Sequence, residues 1–124
     1  NDFNSGTVAW TDWNIILDET GGPNHVGNFC FAPIHANTQT GELIYTNSYY
    51  YIGHFSKFVK EGAKRIAASS SRTDLQANAF VNPDGTIAVV VLNRSDERFN
   101  YRMMINGKST ERESLPHSII TIKN

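Results

Sequence analysis

The stretch "VAWTDWNIILDETGGPNHVGNF", residues 8–29, joins an aromatic and β-branched run to a loop rich in amides and glycine. The run over residues 6–17 has the composition of a buried β-strand. In the loop, Gly21, Gly22 and Pro23 predict a tight bend. Indoles and amides are unusual neighbours, because an apolar core excludes amides and an open surface favours charges. The stretch therefore predicts a strand that leads into a binding loop.

The segments after this loop predict a hairpin and then a helix. Residues 33–46, "PIHANTQTGELIYT", fit a small hairpin with its turn at Thr40 and Gly41. Residues 47–59 predict a helix, since three aromatic residues recur with helical spacing on one face: Tyr51, Phe55 and Phe58. Strand, loop and helix make one βα unit of a larger α/β architecture. Such a unit cannot bury its apolar surface alone.

Beyond residue 62 the pattern changes to short apolar runs separated by turn signals. These runs predict strands at 64–69, 75–81, 86–93, 98–106, 108–114 and 117–123. The turn sequence Asn82-Pro83-Asp84-Gly85 predicts that the second and third of these strands pair. In the fourth run, apolar residues occupy alternate positions, as in a half-buried strand. Residues 89–92 are apolar without a break, which predicts a central strand. The whole part predicts an antiparallel β-sandwich.

Composition excludes several classes of protein. Eleven basic residues oppose twelve acidic ones, so we expect neither nucleic acid nor an anionic membrane as a partner. The longest apolar runs are too short for a membrane-spanning helix. Cys30 is the only cysteine, which excludes an internal disulfide. Asn93 begins an N-glycosylation sequon, Asn-Arg-Ser, that has meaning only in a eukaryotic secretory route.

Three motifs carry a family resemblance. Residues 9–29, 50–66 ("YYIGHFSKFVKEGAKRI") and 82–95 ("NPDGTIAVVVLNRS") resemble the C-terminal part of glycoside hydrolase family 30, the glucosylceramidase group. The resemblance implies a mainly β chain, an antiparallel β-sandwich preceded by the last βα unit of a (β/α)₈ barrel. Residues 1–62 would supply the last strand, active-site loop and helix of the barrel, and residues 63–124 the sandwich domain.

The resemblance also implies the site residues. Trp13 and Asn28 match the family's sugar-contacting Trp and Asn, so we expect them to bind glucose. An indole offers an apolar face to a pyranose, and an amide both donates to and accepts from hydroxyls. Phe29 and Cys30 would form the pocket rim near the aglycone, with buried packing as an equal alternative. Strand alternation places the three remaining polar or aromatic residues of the motif on the opposite face, where they brace the barrel: Trp10, Asp12 and Asn14.

The catalytic groups implied by the resemblance are absent from this chain. Retaining glycosidases use two carboxyl groups about 5 to 5.5 Å apart, and in this family both are Glu on earlier barrel strands. No Glu of this sequence lies in the corresponding motifs, and Glu19, the nearest to the loop, is expected to be solvated. We therefore expect no catalytic residue here and no hydrolysis by the chain alone. The four histidines are too widely spaced to suggest a metal site, and no cofactor is expected.

Two functions remain as alternatives. The chain is either part of a retaining β-glycosidase that acts on glucosylceramide or a related β-glucoside, or a non-catalytic module that binds carbohydrate or supports a barrel. Residue 1 is not Met, which suggests a processed chain or part of a longer one. The resemblance implies a secreted, periplasmic or lysosomal setting. Unpaired strand edges would favour self-association, while residues 1–45 would otherwise be disordered or refolded against the sandwich.

Overall fold

The computed structural model describes residues 2–124. In chain order its elements are a 3₁₀-helix at Asp2–Ser5, β1 (Ile16–Asp18), β2 (Ile34–Ala36), β3 (Leu43–Tyr45), helix α1 (Asn47–Ser56), β4 (Lys64–Ile66), β5 (Leu75–Val81), β6 (Ile87–Asn93), β7 (Phe99–Ile105), β8 (Lys108–Ser114) and β9 (Ile119–Lys123). These residues form two compact units, the first ending at Gly53 and the second running from His54 to Asn124. No helix in the described part is long and apolar enough to cross a bilayer.

The first unit contains a three-stranded sheet with the order β1-β2-β3. β1 and β2 are parallel, with Leu17 opposite His35, and β2 and β3 are antiparallel. The β2–β3 turn closes through a bond from the Gly41 N–H to the Asn37 carbonyl, 2.8 Å long, and Gly41 has a φ of +76°. The predicted hairpin is therefore confirmed.

The strand predicted over residues 6–17 is wrong in its extent, since only Ile16–Asp18 is a strand. Residues 7–14 pair with no strand in the described chain, and Ile15 only accepts one hydrogen bond, from the Ile34 N–H of β2 at 3.1 Å. Asn14 has a φ of +50°, which breaks an extended conformation. Of the apolar residues in this run, Leu17 alone is buried, whereas Trp13 is 70% exposed. The alternation of side chains between two faces, as in a β-strand, thus does not extend to the residues before β1.

The second unit is the antiparallel sandwich that the sequence predicts. One layer is the sheet β4-β5-β6-β9 and the other is the two-stranded ribbon β7-β8. The core between them consists of the buried residues Leu75, Ala79, Ile87, Val89, Val91 and Phe99. Burial of this apolar surface is the main stabilising contribution to the unit. The central position of β6, between β5 and β9, explains its unbroken apolar run, because its residues are buried on both faces of the sheet.

Buried asparagines hold the loops of the sandwich. Asn93 is completely buried, and its Nδ2 group donates to the carbonyls of Glu97 (2.7 Å) and Leu115 (2.8 Å). Its Oδ1 atom accepts from the N–H and hydroxyl of Ser95, both at 2.9 Å. The amide nitrogen of the predicted sequon is therefore fully engaged in the folded chain. Asn82 acts similarly at the β5–β6 turn, where it accepts from the Lys60 N–H and donates to the Phe58 carbonyl.

Candidate ligand-binding site

The loop after β1 begins with a bend that the Asp18 carboxylate organises. Its Oδ1 atom accepts from the Thr20 N–H (2.9 Å), the Thr20 hydroxyl (2.7 Å) and the Gly22 N–H (2.8 Å). These hydrogen bonds, that from Gly22 above all, lower the pKa of Asp18 below its usual value. Gly21 has a φ of +91°, which glycine adopts without strain. The chain thus turns over residues 18–22, slightly earlier than the bend predicted at residues 21–23.

Two side chains fasten this loop to the β2–β3 hairpin. The Nε2 atom of His35 accepts from the Ala32 N–H (3.2 Å), so its Nδ1–H donates to the Asp18 carbonyl (2.8 Å). The Glu19 carboxylate accepts from the Thr38 N–H (2.9 Å) and hydroxyl (3.0 Å). The bond from the Thr38 N–H is the main cause of the lowered pKa of Glu19. Glu19 thus serves to anchor the loop.

Residues 24–28 form a second, smaller turn inside the loop. The Asn24 Oδ1 atom accepts from the Val26 N–H (2.9 Å), and the Asn24 Nδ2 group donates to the Asn28 carbonyl. The Cys30 thiol lies 3.4 Å from the same carbonyl. The Cys30 N–H in turn donates to the Gly21 carbonyl (3.2 Å), which closes the loop at its base. The turn is therefore held by side chains of the loop itself.

A hollow of about 370 Å³ opens beside this turn. Eight residues line it: Trp13, Asn14, Pro23, Asn24, His25, Val26, Asn28 and Cys30. Within residues 2–124, no protein group bonds to the indole N–H of Trp13 or to the side-chain amide of Asn28. An exposed indole face and an amide without a protein partner are the groups that a neutral, hydroxyl-rich ligand requires.

The structure thus brings three of the four sequence-predicted site residues onto one hollow: Trp13, Asn28 and Cys30. Phe29 does not line it. Its ring lies beside Gly22, and the residue is 58% exposed, so it is not packed in a core of the described chain.

The predicted separation of Trp13 from Asn14 is wrong. Both residues line the same hollow, because the positive φ of Asn14 turns the chain before β1 begins. Asp12 instead accepts from the Trp13 N–H at 2.8 Å, and Trp10 is 58% exposed. The contributions of Asn24, His25 and Val26 were not foreseen. The Asn-x-Val spacing of an Asx turn was the one local signal for Asn24.

No Asp or Glu of the described residues lines this hollow, since Asp18 and Glu19 are bound to the main chain of the loop and hairpin. Among residues 2–124, no three His, Cys, Asp or Glu side chains converge as metal ligands would.

A larger hollow of about 630 Å³ lies along β7 and β8, but its walls are less suited to a ligand. Its lining is Asn100, Tyr101, Arg102, Glu111, Arg112 and Glu113. Glu113 pairs with Arg98 at 2.7 Å, and Arg102 pairs with Glu111 at 3.7 Å. Because three of the four charged residues in this lining already take part in ion pairs, we place the candidate site at the loop of residues 18–30.

Comparison with protein-family models gives two matches within the chain. Residues 1–59 match the glycosyl hydrolase family 30 TIM-barrel domain, and residues 62–122 match the glycosyl hydrolase family 30 beta sandwich domain. Trp13 and Asn28 both lie in the first match.

Individual proteins agree with these matches. The chain is 47% identical over 91 residues to the lysosomal acid glucosylceramidase of Mus musculus, covering 73% of this chain and 18% of the relative. It is 36% identical to putative glucosylceramidase 2 of Caenorhabditis elegans, covering 98% of this chain and 25% of the relative.

Solved structures give the same result. The crystal structure of SrfJ from Salmonella typhimurium superposes with a TM-score of 0.85 at 38% identity, over 90% of this chain and 25% of that one. The endo-β1,6-glucanase BT3312 superposes with a TM-score of 0.82 at 29% identity, over 90% of this chain and 26% of that one. The chain spans about a quarter or less of the length of each of these proteins. It belongs to glycosyl hydrolase family 30, in which it corresponds to the C-terminal part, with the end of the TIM barrel followed by the β-sandwich.

Proposed function

We propose that the chain is the C-terminal part of a retaining β-glycosidase and that its loop binds the glucose unit of the substrate through Trp13 and Asn28. The hollow carries this proposal, because it presents an exposed indole and an amide without a protein partner side by side. The indole would stack on the C–H face of the pyranose, and the amide would bond to its hydroxyls.

The substrate class we propose is glucosylceramide or a related β-glucoside. Relatives named as glucosylceramidases in mouse and Caenorhabditis elegans support the first, and the endo-β1,6-glucanase supports the wider class. A neutral hollow is consistent with either, since no Asp or Glu of the described residues lines it and an uncharged sugar needs no counter-charge.

A titration with methyl β-D-glucopyranoside, followed by the indole N–H resonances of the two tryptophans, tests this binding role. We expect saturable shifts at Trp13 and at the Asn28 side-chain amide. Trp13→Ala and Asn28→Ala should each weaken binding about tenfold or more, as measured from the shifts of the remaining resonances, whereas Trp10→Ala, which removes an exposed indole outside the hollow, should not. An affinity unchanged by both substitutions, or no saturable shift at all, would refute the role.

We further propose that the chain alone is catalytically inactive. A retaining mechanism needs two carboxyl groups about 5 to 5.5 Å apart across the scissile bond. Of the carboxylates around the loop, Asp18 is held by hydrogen bonds within it, and Glu19 is held by Thr38 of the β2–β3 hairpin. Release of nitrophenol from 4-nitrophenyl β-D-glucopyranoside should therefore stay at the uncatalysed rate. Turnover by the pure chain that Glu19→Gln abolishes would overturn this proposal.

The alternative, a carbohydrate-binding or supporting sandwich module, is distinguished by the same titration. The one observation in its favour is the hollow along β7 and β8. If the glucoside shifts resonances of Asn100, Tyr101 and Arg102 and leaves Trp13 unchanged, the sandwich is the binding unit.

Self-association through strand edges is a separate proposal. In the part of the chain described, β1 pairs only with β2, and β7 and β8 pair only with each other, so each has an unpaired edge. Such edges recruit further strands. Light scattering should show a mass above 13.9 kDa that rises with concentration, and a concentration-independent monomer would contradict the proposal.

A further inference from the structure

We infer that Asn24 is a positioning residue for the sugar site: its side chain fixes the main chain at Asn28, so that the Asn28 amide faces the hollow shared with Trp13. This inference rests on the proposed binding of a β-glucoside at that hollow. Asn24 is assigned here a role that acts through Asn28 and needs no contact with the sugar.

Asn24 uses both ends of its side-chain amide inside the turn. Its Oδ1 atom accepts from the Val26 N–H at 2.9 Å, which sets the direction of the chain two residues later. Its Nδ2 group donates to the Asn28 carbonyl, four residues away. One planar amide therefore connects the beginning, middle and end of residues 24–28.

Asn28 is fixed only through its main chain. Its carbonyl receives the Asn24 amide and lies 3.4 Å from the Cys30 thiol, a weak donor. Its side chain has no bond to any other residue of the described chain. If the carbonyl is released, the main chain around Asn28 can shift, and the side-chain amide that it carries moves with it.

The surrounding loop explains why this one contact matters. The base of the loop is closed by the bond between Cys30 and Gly21, and the bend before it by the Asp18 carboxylate. Between these anchors, Gly27 has a φ of +69° and no atom within 4 Å of where its β-carbon would lie. No neighbouring atom therefore packs against the free side of Gly27. The hydrogen bond from Asn24 is then the main constraint on the main chain at Asn28.

Asn24→Asp provides a selective test. Aspartate keeps the acceptor for the Val26 N–H but loses the donor to the Asn28 carbonyl. We expect the dissociation constant for methyl β-D-glucopyranoside to rise about three- to tenfold. A change of this size corresponds to the loss of about one hydrogen bond. Asn37→Asp is the matched control, because Asn37 also accepts from its own turn, at the N–H groups of Gln39 and Thr40, and does not line the hollow. The control should leave the dissociation constant unchanged, and an equal loss in both variants would overturn the inference.

A double-mutant cycle separates positioning from a general structural effect. If Asn24 acts through Asn28, then Asn24→Asp should cause no further loss of the residual affinity in an Asn28→Ala background. An undiminished loss in that background would show that Asn24 acts on the sugar independently, and would overturn the inference.

A measurement without ligand makes the inference independent of the proposed function. The heteronuclear NOE of the Gly27 and Asn28 amides should fall in Asn24→Asp and stay unchanged in Asn37→Asp. Unchanged values in both variants would overturn the positioning role. If the native chain binds no glucoside while the NOE falls as expected, the proposed binding function fails and the fixing of Asn28 by Asn24 stands.

Discussion

Gly21 lies directly against the main chain of Cys30. A β-carbon built on Gly21 would stand 2.3 Å from the Cys30 carbonyl oxygen and 2.9 Å from its nitrogen. The Cys30 N–H donates to the Gly21 carbonyl at this approach. The loop that carries Asn28 is therefore closed at its base by a contact between two backbones that leaves no room for a side chain.

Gly21→Ala should destabilise the first unit by more than the cost of placing alanine at a positive φ. Alanine at the φ of +91° is strained, and it must also displace the Cys30 backbone, for a total of about 3 kcal/mol or more. Gly41→Ala is the control, since Gly41 has a φ of +76° and open space around it, and should cost about 1 to 2 kcal/mol. Hydrogen exchange of the Asp18 and Ile34 amides would measure the destabilisation caused by each substitution. Equal effects would contradict a role for the contact between Gly21 and Cys30.

Asn93→Ala should destabilise the sandwich by about 3 kcal/mol. The change leaves the carbonyls of Glu97 and Leu115 and the Ser95 N–H without the partner that satisfies them in a fully buried position. Urea unfolding followed by circular dichroism measures the loss. Asn100→Ala, on the exposed face of β7, is the control and should lie within about 0.5 kcal/mol of the native chain. A similar small effect at Asn93 would refute the prediction.

The ion pair between Lys60 and Asp84 should be detectable in an acid titration as a lowered pKa of Asp84. The hydrogen bond from the Lys60 Nζ atom (2.6 Å), with those from Thr86, holds the pKa of Asp84 well below its usual value. Because the folded pKa lies below the unfolded one, Asp84 stabilises the fold above about pH 4, and this stability is lost as the pH falls towards the folded pKa. Lys60→Met should raise the pKa of Asp84 in a ¹³C carboxyl titration. Lys57→Met removes a neighbouring charge and should leave it unchanged.

His54 should make the second unit less stable in mild acid. Its Nδ1 atom lies 2.8 Å from the Thr121 hydroxyl, and burial lowers the pKa of the ring. The neutral ring is therefore favoured in the folded state, so stability is complete above an unfolded pKa of about 6.5 and falls as the pH drops from there towards the folded pKa. Urea unfolding at about pH 7.5 and about pH 5 should show this decrease, and His54→Gln should reduce it. His25→Gln is the control. A decrease of the same size in His54→Gln would exclude His54 as its cause.

Most of the sandwich could be predicted because its signals are local. The alternation in residues 99–105 and the turn Asn82-Pro83-Asp84-Gly85 depend on neighbours two to four positions apart, and both strands and turn lie where expected. The strand before the binding loop was predicted too long for a related reason. Its aromatic and β-branched composition suits a strand, but a strand also needs a partner, and residues 7–14 have none in the described chain.

The sequence by itself determined the antiparallel character of the second unit, the pairing of β5 with β6 and the turn between them, because propensity, periodicity and turn chemistry act between residues close in the chain. The tertiary structure alone decided that Trp13 and Asn14 share a hollow with Asn28, and that the Asn28 amide has no partner there. Both facts depend on how the chain turns at Asn14 and closes between Gly21 and Cys30. Such geometry arises from hydrogen bonds and close contacts across the loop, which no local pattern of residue types specifies.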